Sequence, residues 1–388
     1  MDKKRVIVIG GGILGVSHAY FLAKAGFSVT LLERKGLASC ASGGNLGQIS
    51  LIDRLEPWHM KLSLRAAEIY RDLPESCVTE YEQTGALVMI NEEHEFALAQ
   101  GIIDELKNYG IPAEIVRDRA RIYELVPGLD PETVLGLLFC PMEGVINPLF
   151  TVEAFRDLAL AEGAEIRTNT PATGFEMTAD GLISAVKTPA GDIPADYVVN
   201  CAGSWAADIA EMAGTRTQLH WRRGSALVTQ PVGKVVQGQI NGHGMLGGIK
   251  ANLGGDGGEF VVTALSQAKN GTVLLAQVTK FTDKESRDVT SPGITRMAKK
   301  FLHFFPSCRD LMAVRIWSAV TPLSDDELPF YGFYEKVPNL VCAAGFKGAF
   351  TTAPAVGEQT AVLLKEGTNY LILPELAPER EGPGFSMY

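Results

Sequence analysis

The chain opens on an uninterrupted apolar, β-branched run, Arg5-Val6-Ile7-Val8-Ile9. A strand apolar on both faces predicts a buried place in a parallel sheet. Apolar positions then recur at helical spacing from Ile13 to Lys24 and stop at Ala25-Gly26, the pattern of a helix closed by glycine. Ser28–Leu32 reads as the next strand. Helical spacing returns over Leu62–Leu73, Glu93–Gly110 and Glu153–Glu162. A strand follows at Ala164–Arg167, and another runs from Tyr197 into a small-residue turn that ends at Trp205. From 216 to 333 the runs become strand-like, as in Ala226–Thr229 and Thr272–Val278, and predict antiparallel pairing. Near the end a glycine- and alanine-rich stretch, Ala343–Gly357, leads into a helical run to Lys365. Thr352 is the expected cap of that helix, with Pro354 in its first turn.

Strand and helix alternate at both ends, with a strand-rich section between them. The fold class expected is α/β: a Rossmann-like dinucleotide-binding domain, discontinuous in sequence, with a second α+β domain built on a mainly antiparallel sheet. The first takes residues 1–60, 146–215 and 334–388; the second, which would hold substrate, takes 61–145 and 216–333. Residues 238–258 contain nine glycines. They read as a loop, either a mobile lid or an insertion without function.

The 388 residues exceed one typical domain core, which agrees with two domains. With 35 basic and 45 acidic residues the net charge is −10. That argues against nucleic acid as the main partner, which needs clustered Lys and Arg. The longest basic cluster is only Lys3-Lys4-Arg5. The six cysteines include no Cys-x-x-Cys pair, so zinc and redox-pair readings lack support. The apolar run after Met1-Asp2-Lys3-Lys4-Arg5 is cut by Gly10-Gly11-Gly12 and offers no small-residue cleavage site. A cytoplasmic protein is expected, with membrane contact at most peripheral.

Gly10-Gly11-Gly12-Ile13-Leu14-Gly15 follows the first strand at once and matches G-x-G-x-x-G. Each glycine has a physical task. Gly10 permits the tight turn, Gly12 lets a pyrophosphate approach the backbone, and Gly15 lets helix pack on strand. The helix start offers N–H groups and a positive dipole end to phosphates. Glu33 ends the second strand, in position to take ribose hydroxyls. Next comes Ala38–Gln48, a run of small residues. It suits close approach of backbone to a large planar ring, as in FAD, although a surface loop has the same composition.

Together these segments resemble the D-amino-acid oxidase superfamily of FAD enzymes, which includes glycine oxidase and sarcosine oxidase. The carriers are Ile9–Gly15 with Glu33, Ser42–Gln48, Val198–Trp205, Arg315–Pro322 leading to Asp325–Gly332, and Gly345–Gly357. Within that group, Arg223–Thr229 and Ala264–Leu275 look most like the flavoprotein β-subunits of hydrogen cyanide synthase, opine oxidase and D-hydroxyproline dehydrogenase. The cofactor-binding set this implies begins with Gly10, Gly12, Ile13, Leu14, Gly15, Glu33 and Arg34. It continues through Ser42, Gly43, Gly44, Asn45, Leu46, Gly47 and Gln48, then Ala172, Ala202, Gly203 and Trp205. It closes with Gly345, Phe346, Lys347, Gly348, Ala349, Phe350 and Thr351. The FAD would be non-covalent, because the loop position of a flavin-linked histidine in some relatives is small here, near Gly44.

The resemblance implies oxidation of a C–N bond in an amino acid or secondary amine. Hydride passes to flavin N5 and the imine product hydrolyses, with the hard chemistry left to the cofactor. Two departures matter. Many relatives carry an Arg before the Pro of W-x-G-x-R-P to grip a substrate carboxylate; here that residue is Thr321. The histidine of their G-H-x-G-x-G segment is Phe346, and a cation, Lys347, appears beside it. Either Lys347 or Arg315 takes the carboxylate, or the substrate is not an ordinary small α-amino acid; the second is preferred. Other readings are oxidation of a 2-hydroxy acid, or a weakened flavin subunit that relays electrons to a partner subunit.

Overall fold

The computed structural model describes residues 3–52, 55–241 and 258–382. The glycine-rich stretch read as a loop therefore lies almost wholly outside the described residues. Its first and last glycines, Gly238 and Gly258, are described.

Two sheets organise the chain. The first has six strands, in the order Phe330–Phe333, Leu340–Ala344, Tyr197–Asn200, Arg5–Ile9, Ser28–Leu32 and Glu165–Arg167. All neighbours are parallel except the antiparallel edge strand Phe330–Phe333. Val6, Ile7, Val8 and Ile9 are all buried, as a central strand covered on both faces requires. The helices Ile13–Lys24, Pro148–Ala161 and Ala349–Glu366 pack on one face. The helix Ala206–Met212 and a three-stranded meander, Gly174–Met177, Ile183–Lys187 and Ile193–Pro194, cover the other. Gly357 brings the first and last helices together: a Cβ there would lie 2.8 Å from the Ser17 backbone.

The second sheet has eight strands, in the order Ala313–Leu323, His220–Pro231, Thr272–Thr282, Phe260–Gln267, Gln239–Asn241, Ala86–Ile90, Gly136–Cys140 and Glu114–Val116. Only Gln239–Asn241 with Ala86–Ile90 pairs parallel. The helices Arg119–Leu125 and Ser291–Phe304 bury one face of it. The α/β class and the mainly antiparallel second sheet agree with the sequence pattern.

Several bounds differ from the sequence reading. The helix expected over Leu62–Leu73 runs Pro57–Arg71, with proline in its first turn, and its apolar face packs in the core of the first sheet. The helix expected from Glu153 begins at Pro148, where the Asn147 side chain accepts from the Leu149 and Phe150 N–H groups. Phe330–Phe333 pairs in the first sheet, not the second. Thr352 is not a cap. The last helix starts at Ala349 behind Gly348, whose φ of 62° reverses the chain, and Thr352 and Pro354 lie inside it. Among the described residues no helix is long and apolar enough to cross a membrane.

Candidate active site

Gly10 has a φ of 114°, and a Cβ on it would sit 2.3 Å from the Cys201 carbonyl oxygen. Only glycine fits where the turn meets the neighbouring strand end. A Cβ on Gly15 would lie 1.7 Å from the Gly10 oxygen, so helix and strand touch backbone to backbone. No side chain caps the first helix at Gly12. The Ile13 N–H instead donates to Ser42 Oγ, at 3.0 Å. Glu33 lies beside this turn: Oε2 accepts from the Gly11 N–H at 2.7 Å and Oε1 from the Lys35 N–H at 2.7 Å. Those contacts fix the carboxylate at the end of its strand.

A cavity of about 270 Å³ opens here. The glycine turn, Glu33, Arg34 and Ala38–Ser42 form one side, and Ala172, Ala202–Trp205 and Gly345–Phe350 the other. The Arg34 guanidinium stacks 3.5 Å over the Trp205 ring, which makes a flat wall at the Glu33 end. Cys201 also lines the cavity; burial pushes its thiol well above the ordinary value, so it remains protonated and acts as a wall.

A second cavity, of about 200 Å³, adjoins the first through Ala41, Asn45, Thr321 and Gly348. Its floor is the second sheet. Gly224, Ala226, Ala264, Ala276 and Ala319 come from four adjacent strands and supply almost no side chain. On the His220–Pro231 strand, Arg222, Gly224 and Ala226 alternate onto this face. A bulge in the pairing leaves Gln277 as an extra residue. A Cβ on Gly224 would lie 2.6 Å from its Oε1, so the glycine makes room for that amide. Asn241 is buried in the same cavity, and among the described residues its Nδ2 has no hydrogen-bond partner. Among the described residues, no Asp, Glu, His, Lys or Arg lines this second cavity.

The start of the last helix is held rigidly between the two cavities. Tyr70 donates its hydroxyl to the Phe350 carbonyl at 2.7 Å, Ser50 N–H donates to Thr351 Oγ1 at 3.1 Å, and Arg65 grips Glu358 through Nε and Nη2. The buried Glu143 carboxylate accepts from the Leu51 and Ile52 N–H groups and fixes the segment that carries Ser50.

Most expected residues gather at these cavities. Gly12, Ile13, Leu14, Ser42, Asn45 and Ala349 line the first, while Gly44, Leu46, Gln48 and Thr351 line the second. Gly15 and Gly47 line neither and serve close backbone packing; a Cβ on Gly47 would meet the Ile146 oxygen at 1.9 Å. Gly43 faces a separate cavity of about 280 Å³, as does Arg315. Arg315 stands six residues before Thr321 on one strand, roughly 20 Å away. Of the two cations considered, Lys347 alone lines the first cavity, with Thr321 close to it. Arg222, on the neighbouring strand, lines it too and was not anticipated.

This is a dinucleotide-binding α/β fold whose cradle runs into a small-residue cavity under a second sheet, the build of a nucleotide-dependent redox enzyme. A family model described as FAD dependent oxidoreductase matches residues 5–363, and the chain belongs to that family. It is 31% identical over 237 residues to mouse (Mus musculus) mitochondrial sarcosine dehydrogenase, covering 58% of this chain and 25% of that protein. The chain thus spans about a quarter of that relative's length. It is 27% identical over 382 residues to an opine oxidase subunit of Agrobacterium tumefaciens, covering 93% and 94% of the two chains. Among solved structures, L-proline dehydrogenase from P. horikoshii matches with a TM-score of 0.87 and 26% identity, over 98% of each chain.

The residues present fit FAD. The glycine turn leaves room for a diphosphate, Glu33 stands where a ribose would lie, and the adjoining cavity has a flat alanine and glycine floor with an amide N–H that is unpartnered among the described residues.

Proposed function

We propose that the protein oxidises the C–N bond of an amino acid or secondary amine, with FAD bound without a covalent link. When bound, FAD supplies the acceptor that takes a hydride from the carbon beside nitrogen, leaving an imine that water hydrolyses. The chain's own residues position the parts. Glu33 and the Gly10–Gly15 turn hold the nucleotide end. The N-terminus of the helix Ala349–Glu366 directs N–H groups and a positive dipole end at the junction of the two cavities. Asn241 and Gln277 offer amide donors above the alanine floor.

One observation carries the reading: the nucleotide cradle opens directly into a cavity lined by neutral residues only, among those described. With no carboxylate or imidazole lining that cavity among the described residues, the reading assigns proton removal to none of its side chains. The amine enters neutral, and the nitrogen lone pair assists hydride departure. A small residue at Gly44 supports non-covalent FAD: a Cβ there would already lie 2.5 Å from Ala319 Cβ. The opine oxidase relative is by name one subunit of an enzyme. A partner subunit that accepts electrons is the matching second part of the proposal.

The test is anaerobic bleaching of the purified protein's flavin spectrum by a panel of amines, N-alkyl amino acids and 2-hydroxy acids. Bleaching by members of the first two groups is expected. Bleaching by hydroxy acids alone would replace the C–N reading with C–O oxidation.

A further inference from the structure

A loop of the second sheet grips the walls of the nucleotide cavity from outside. Residues 283–290 join the strand Thr272–Thr282 to the helix Ser291–Phe304. Lys284 Nζ donates to both carboxylate oxygens of Asp208, at 2.5 and 2.6 Å, on the helix Ala206–Met212. Glu285 Oε1 accepts from Trp205 Nε1 at 2.8 Å. Arg287 Nη2 donates to Cys40 Sγ at 3.9 Å. Trp205 lies in the wall built by residues 202–205, and Cys40 in the wall built by residues 38–42. One short loop is therefore bonded to both walls, while none of its own residues lines the cavity.

The roots of this loop are fixed to the second sheet. The buried Arg223 donates through Nη1 to Ser286 Oγ at 3.4 Å and lies 3.5 Å from Asp288. Thr290 caps the following helix: its Oγ1 accepts from the Gly293 N–H at 3.3 Å and donates to Glu259 at 2.8 Å. The contacts to the nucleotide side are wetter. The side chains of Lys284 and Asp208 are 29% and 33% exposed, and Glu285 and Arg287 are exposed. Water can replace such partners at modest cost. The walls also have support of their own, since Trp221 Nε1 donates to the Ser204 carbonyl at 2.9 Å. The loop can let go at its tip while its roots and both walls stay folded.

We propose that residues 283–290 are a strap that ties the two walls of the nucleotide cavity together through Lys284, Glu285 and Arg287, and that FAD enters or leaves only when these contacts break. This rests on reading the first cavity as the FAD site, and it holds whichever substrate is oxidised. The contacts of the strap run from protein to protein, so a shut strap is a barrier in both directions. Weakening it speeds uptake and release together. Affinity stays nearly constant, because contacts that do not distinguish the loaded from the empty protein cannot shift their equilibrium. Side chains that held FAD directly would instead lose affinity in step with faster release.

The experiment follows exchange of bound FAD for an excess of radiolabelled FAD on the purified full-length protein. The dissociation constant is measured on the same preparations, and the two together give the uptake rate. Lys284→Asp sets two carboxylates side by side and speeds exchange by about tenfold, with the dissociation constant nearly unchanged. Adding Asp208→Lys to it reverses the pair and restores slow exchange. Arg287→Met frees the other wall and speeds exchange by about threefold; it carries the test alone should Lys284→Asp fail to fold. Exchange unmoved by these variants overturns the proposal. So does affinity that falls as far as release rises, because the loop would then be holding the cofactor itself. A reversed pair that exchanges as fast as Lys284→Asp alone overturns it too. A wild-type protein that takes up no FAD overturns the functional reading and this proposal together, whereas the other failures sink the proposal alone.

Discussion

Arg222 and Thr321 face each other across neighbouring antiparallel strands, both on the side of the sheet turned to the cavities. Side chains in such a pair have Cβ atoms about 5 Å apart. A guanidinium therefore stands beside a hydroxyl at one end of a floor that is otherwise alanine and glycine. The cation of this region comes from one strand and the small partner from the other, so the two positions cannot both be large and charged.

That pairing makes Thr321→Arg an informative variant. It would set two guanidinium groups opposite one another in a confined space, and like charges directly opposite destabilise a sheet. We expect a loss of roughly 1 kcal/mol or more by denaturant unfolding. Thr321→Val, which keeps the shape, should lose little. An arginine variant as stable as wild type would mean that the pair has more room than this register allows.

Glu33→Ala should release flavin. The carboxylate accepts two backbone N–H groups and stands at the strand end beside the glycine turn. Its removal takes away both the organiser of the turn and the acceptor for a ribose. Affinity for FAD should fall by about ten- to a hundredfold, on the scale of hydrogen bonds to a charged group. Flavin-to-protein ratio after gel filtration measures it; an unchanged ratio would put the nucleotide elsewhere.

Gly15→Ala tests the contact between first strand and first helix. The new methyl would need to occupy space 1.7 Å from the Gly10 oxygen. Helix and strand must separate, and the turn opens with them. Overpacking of this kind costs roughly 1–3 kcal/mol or more, read as a lower melting temperature together with lost flavin. Gly36→Ala is the matched control: nothing lies within 4 Å of a Cβ there, so stability and flavin content should hold.

The parts of the site that could be read in sequence are those whose signal is local. Gly10, Gly12, Gly15 and Glu33 fall within a single strand–turn–helix–strand unit, and each has one job there. Lys347 was visible because it sits in a run of small residues. Arg222 was not, because His220-Trp221-Arg222-Arg223 places two arginines in succession and nothing local says which faces the site. Register decides: Arg222 points toward Thr321 and the cavity, while Arg223 points through the sheet to the buried Glu259. Arg315 failed for the same reason in reverse. It lies six residues from Thr321 on one extended strand, which carries it to a different cavity. Thr352 had the chemistry of a cap, but Gly348 alone could take the left-handed turn that starts the helix.

His18 provides the final test, through pH. It is completely buried on the first helix, with Nδ1 2.6 Å from the Leu14 carbonyl and Nε2 2.9 Å from Thr360 Oγ1. The carbonyl accepts only an N–H, so Nδ1 carries the proton and the neutral ring presents bare Nε2 to the threonine. Burial lowers its pKa from 6.5 to about 4. In the unfolded chain the ring binds a proton near pH 6.5, whereas in the fold it resists until about pH 4. The stability from keeping it neutral is therefore complete above the unfolded value. It drains away as pH falls from about 6.5 toward 4, by an amount on the order of 3 kcal/mol. His18→Leu keeps an apolar body there but removes the titration and both hydrogen bonds. It should be less stable than wild type at pH 7, and the gap should narrow at pH 5. Thermal unfolding of both proteins at the two pH values measures this. A gap that stays constant would mean that the buried imidazole is not what the acid attacks.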